Sequence, residues 1–168
     1  MVSVFTERLC AAVRSCNGGD TKMQSLIGRA IVDTLGVAAA GFDEPVSRIA
    51  VDAYLGGGAA CWAGTGCTSE ESAVMIDAIS AHALDFDDVF LESTIHPSTV
   101  ILPAVLRGDR NDDPTEIAAA FGAGLIAAQA VAARVGLGHY HKGWHGTGTI
   151  GAFAAAAAAG RLRRLDEQ

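Results

Sequence analysis

The chain is short of charge, of aromatic side chains and of proline. Only 18% of its 168 residues are charged and 6% aromatic, and it has four prolines. Low charge with a hydrophobic share of 50% excludes an intrinsically disordered chain. There is no basic excess. Twelve Lys and Arg stand against 19 Asp and Glu, a net charge of −7, so the footprint of a nucleic-acid binder is missing. The four cysteines, Cys10, Cys16, Cys61 and Cys67, form no CxxC pair, which argues against a zinc ribbon. They read as reduced, structural thiols of a reducing compartment. Acid and arginine interrupt the opening residues, so no signal peptide is expected. The apolar run over residues 150–160 falls well short of the ~20 residues of a membrane span. These absences predict a cytoplasmic chain that binds neither nucleic acid nor membrane, with one domain over residues 1–168.

Alanine and glycine are what the chain has in plenty, and they lie in helical patterns. Residues 4–16 place apolar side chains at helical spacing, and Gly18-Gly19 ends the run. Asp20 can cap a helix over about 21–40, which Gly41 stops. Pro45 suits a first turn, and a triple glycine closes that helix. Residues 59–66 read as a small strand or a turn. Thr68 to Glu71 has capping-box spacing and opens a helix over about 69–84. Pro97 starts another, which Pro103 should kink or shorten. Residues 108–114 form a polar loop. Asp113-Pro114 opens a long helix over about 115–135, and Gly136 closes it. Thr147 can cap a last helix, through the alanine run to about Leu165. No segment alternates as a strand does. The fold class is therefore all-α, a compact Ala/Gly-rich bundle whose small side chains allow close helix approach.

Against this background one stretch stands out. His82 to Ile95 carries three aspartates, a glutamate and a histidine, and His96-Pro97 follows at once. If the preceding helix runs on for a turn, His82, Asp85 and Asp88 or Val89 share a face, while Asp87 points elsewhere. A glycine-rich loop, residues 136–146, adds His139, His141 and His145. Histidines beside carboxylates can divide the acid and base work of a proton transfer. Lys142 and the backbone N–H groups after His145 can hold a substrate carboxylate at a helix start. A metal reading uses His82, Asp85, Asp88 and His96 as ligands for Zn²⁺ or Mn²⁺, and makes the chain a metal-dependent helical hydrolase.

Three segments, residues 31–41 (IVDTLGVAAAG), residues 81–106 (with DFDD and IHPSTV) and residues 143–168 (with GWHGTGT), occur in order and resemble the MmgE/PrpD family. That family includes 2-methylcitrate dehydratase, cis-aconitate decarboxylase and iminodisuccinate epimerase. The resemblance implies the family's helical domain without its lid domain, a cytosolic homodimer, and no metal or other cofactor. It implies a lyase of propionate catabolism, acting next to a carboxylate of a small di- or tricarboxylate. Carried over by position, Asp85, His96 and His145 are the catalytic residues. Lys142, Asp88 and Thr147 are the substrate-binding candidates. Where one group of relatives has threonine after DFDD, this chain has Val89. Relatives run on past this region, with further basic residues, so a separately encoded C-terminal half is a possible partner. The other function class is a catalytically silent helical module that oligomerises or binds carboxylates.

Overall fold

The computed structural model describes residues 3–108 and 113–166. Helix starts follow side chains that accept from otherwise orphaned N–H groups. Ser3 accepts from the Thr6 N–H and opens α1 (Val4–Ser15), and Asp20 accepts from Lys22 at the start of α2 (Thr21–Gly41). Helix α3 (Pro45–Ala53) begins on its proline. Ser69 caps α4 (Glu70–His82) through the Ser72 N–H. Helix α5 (Pro97–Gly108) runs through Pro103, which is fully buried, rather than stopping there. Asp113 caps α6 (Pro114–Val135), and Gly136, at φ 61°, ends it. The one-turn α7 (Gly138–His141) leads to α8 (Gly146–Leu162). Most of the polar loop expected over residues 108–114 lies outside the described residues.

The fold is the helical domain expected, with one small addition. Strands β1 (Leu55–Ala60) and β2 (Gly66–Cys67) form an antiparallel hairpin, pairing Ala60 with Gly66. The triple glycine expected to end α3 lies inside β1. Its backbone comes so near its partner that a Cβ on Gly58 would sit 2.3 Å from the Thr68 carbonyl oxygen. Only glycine fits there, and this overrides the usual weakness of glycine in strands.

Helix α6 is the central element. It packs chiefly on α8 and also on α1, α2 and α5, while α4 fits between α2 and α5. The main core joins Phe121 of α6 to Ile101, Leu102 and Val105 of α5 and to Ala154, Ala158 and Leu162 of α8. A second cluster places Cys61 and Cys67 of the hairpin region against Val51 and Ile76, and all four cysteines are free thiols. Twenty-two residues long and apolar, α6 meets the length and composition of a membrane span, but 56% of its apolar window is buried inside the fold. Its uninterrupted apolar stretch, residues 117–128, lies between Glu116 and Gln129, so run length alone does not single it out.

Candidate acid–base site

Three imidazoles from three helix ends meet at one place. His82 is the last residue of α4, His96 directly precedes α5, and His145 is the N-cap of α8. The His82 ring centroid lies 4.6 Å from that of His96 and 5.2 Å from that of His145, with the latter pair stacked. Residues distant in sequence converge because α4, α5 and α8 pack in series.

The connection from α4 to α5 is not helical. Asp85 takes a left-handed conformation at φ 57°, which aspartate tolerates better than most residues. The chain there turns out of the helix, so the shared face expected for His82, Asp85 and Asp88 does not form. A short turn follows, closed by the Phe90 N–H donating to the Ile95 carbonyl at 2.8 Å. Ile95 is fully buried and pins the turn against α8. A Cβ on Gly146 would lie 2.9 Å from Ile95 Cγ1, so glycine beside His145 lets the two segments touch.

The turn inverts the expectation for Asp87. Rather than pointing elsewhere, its side chain has no solvent exposure and faces both His82 and His96. His82 Nδ1 lies 2.9 and 3.1 Å from the two Asp87 oxygens. His96 Nδ1 is 3.2 Å from Asp87 Oδ1, yet this buried nitrogen makes no hydrogen bond. The oxygen is close enough but off the hydrogen-bonding direction, so the contact orders charge more than it fixes a proton. On the other side of the ring, His96 Nε2 is 3.4 Å from Asp85 Oδ1, and the Asp85 side chain is 79% exposed. Asp85 thus faces outward where a ligand can reach it, and Asp87 lies beneath.

The other candidates fall into different places. Asp88 accepts from the Ser98 backbone N–H at 3.1 Å and from Ser98 Oγ at 2.6 Å, which caps α5 from outside. Thr147 does not cap α8. It is buried within that helix, and its hydroxyl accepts the His96 N–H at 3.0 Å. Both contacts hold the start of α5, where His96 sits. Lys142 is exposed beyond α7, and its side chain makes no hydrogen bond or ion pair among the described residues. His139 braces its own loop, with Nε2 2.7 Å from Thr149 Oγ1 and its ring stacked on Trp144.

The proton affinities of two imidazoles are pushed apart. The hydrogen bond from Asp87 raises the His82 pKa, with the charges of Asp87 and Asp85 adding and burial opposing. Burial lowers the His145 pKa, and the neighbouring His82 and His96 lower it further. Near neutral pH this favours a protonated His82 beside an uncharged His145, an arrangement suited to paired acid and base work.

His82, Asp85, Asp87 and His96 are also of metal-ligand type, and one ligand atom of each lies within 4.8 Å of the others. Asp87, not the expected Asp88, belongs to this group. Both Asp87 oxygens already face imidazole nitrogens, which makes the cluster a self-paired polar network, and we assign no metal to it.

The fold and site together define a class: a helical domain that presents an acid–histidine cluster at helix ends. More particularly, the chain belongs to the MmgE/PrpD family, since the sequence model of the MmgE/PrpD N-terminal domain matches residues 7–168. No curated protein matches it closely.

Proposed function

We propose that the chain acts as a lyase of the 2-methylcitrate dehydratase type, moving protons beside a carboxylate of a small di- or tricarboxylate. The observation that carries this reading is the convergence of His82, His96 and His145 around Asp85 and Asp87, with His82 and His145 biased towards opposite protonation states. Removing a proton from a carbon next to a carboxylate builds negative charge, and a base and a proton donor must meet in one place. Asp85, His96 and His145 are the residues placed at the substrate. Asp88 and Thr147 hold the start of α5, where His96 sits. The family points to a cytoplasmic homodimer, and a separately encoded second half is an alternative partner.

A second reading is a catalytically silent module that oligomerises or binds carboxylates. It is favoured by the absence, among the described residues, of any lysine or arginine paired with the five-residue cluster. Turnover of 2-methylcitrate, citrate and cis-aconitate by the purified chain separates the two. The expected result is turnover that falls about 10²–10⁴-fold in His96→Ala. A folded chain inert towards all three substrates sinks the lyase reading and leaves the module.

A further inference from the structure

His82 is the member of the cluster that the sequence comparison leaves without a role, and Asp87 the one that the spacing argument turned away from the site. Their geometry gives both a task. Asp87 is a carboxylate without solvent exposure, and its two oxygens approach a single ring nitrogen, His82 Nδ1, at 2.9 and 3.1 Å. A buried carboxylate needs a charged or hydrogen-bonding partner, because leaving it unpaired is expensive. His82 supplies that partner through Nδ1, which leaves Nε2 without a protein hydrogen bond among the described residues. The ring stacks on His145, and His145 itself is exposed. His82 also closes α4, where the negative end of the helix dipole favours a cation.

We propose that His82 is the proton donor of this site and that Asp87 is the positioning residue which orients it. The inference rests on the lyase reading and deepens it. In a dehydration, His145 takes the proton from carbon, the carbon–carbon double bond forms, and the carbon–oxygen bond breaks with its electron pair on oxygen. His82 gives its Nε2 proton to that oxygen, which leaves as water. His82 then regains a proton and His145 loses one to solvent, so the net change is loss of one water from the substrate. The groups facing His82 are Asp85 and Asp87 of the connection that follows α4, His96 at the start of α5 and His145 at the start of α8. Asp87 beneath the ring dominates, because it is the buried, hydrogen-bonded charge.

The test joins two measurements on the full chain. Imidazole NMR titration of the wild type should show His82 keeping its proton to higher pH than His145. Asp87→Asn, which keeps the shape but not the charge, should lower the His82 midpoint. The pH profile of turnover should then lose its alkaline limb at lower pH in Asp87→Asn, and His82→Gln should lose about 10²–10⁴-fold in kcat. A His82 that titrates at or below His145 overturns the assignment, whatever the activity. Normal titration with wild-type turnover in His82→Gln overturns the donor role but leaves the lyase reading standing. Turnover that is absent in every form sinks the lyase reading and the donor role with it, and the titration still decides whether Asp87 holds the His82 proton.

Discussion

At the scale of the residue, the two acids of the DFDD motif that differ most in role differ by one turn of backbone, not by chemistry. Asp85 and Asp87 are the same side chain two positions apart. The left-handed step at Asp85 sends one outward and the other inward. A helical extension puts Asp87 on the wrong face, and nothing in the residue types warns of the step. Stability should report the consequence. His82 has its affinity raised above the ordinary value of 6.5, so its contribution is complete below 6.5 and is lost as pH rises through the higher folded value. For His145 the affinity is lowered from 6.5, so its contribution is complete above 6.5 and is lost as pH falls through the lower folded value. Chemical denaturation across pH should therefore find greatest stability from these groups near 6.5, and Asp87→Asn should flatten the alkaline side. An unchanged alkaline side would show that Asp87 does not hold the His82 charge. Asp88 belongs to a different ledger. As an outside cap of α5 it should cost about 1 kcal/mol when changed to alanine, read as a lower denaturation midpoint.

At the scale of the element, helix ends do the functional placing, and glycines decide how near the helices come. Cap residues made the helix starts legible. Asp20 and Asp113 accept where their positions predict, and Ser69 takes the part within the Thr68–Glu71 segment. The hairpin was legible only at its tip, where residues 59–66 read as a small strand or a turn; its pairing depends on backbone approach between β1 and the segment near Thr68, which no short window reveals. Nor was the role of Thr147, whose partner lies 51 residues away. Two glycines of α2 offer a paired test. A Cβ on Gly41 would sit 2.3 Å from the Ser80 carbonyl, whereas one on Gly28 meets nothing within 4 Å. Gly41→Ala should force α2 away from α4 and destabilise by about 1–3 kcal/mol. Gly28→Ala should stabilise by about 0.5–1 kcal/mol, through helix propensity alone. Thermal melts of both variants check the contrast, and equal shifts would show that α2 and α4 do not touch as described.

At the scale of the whole molecule, the core is built largely of alanine, and much of the larger apolar side-chain area stays outside. Val32 is 74% exposed, Leu91 79% and Phe153 60%. The outer face of α2 carries Leu26, Val32 and Leu35 beside Gly28 and Gly36, with open space over both glycines. Composition announced the fold class, because alanine at helical spacing has few other ways to bury itself. It could not announce which faces remain uncovered, since helices such as α2 and α3 carry large apolar side chains outside the buried face as well as within it. Such exposed apolar surface favours association, because burying it removes area from water at roughly 25 cal/mol per Å². The expected outcome is that the purified chain sediments as a dimer or larger species at micromolar concentration. Val32→Asp should move it towards monomer with unchanged helix content by circular dichroism, since the side chain is exposed and the charge opposes only the association. A wild type that sediments as a monomer across the whole concentration range would remove the homodimer from the functional picture. The acid–histidine cluster would then have to work within a single chain, using only the charges that the three helix ends bring to it.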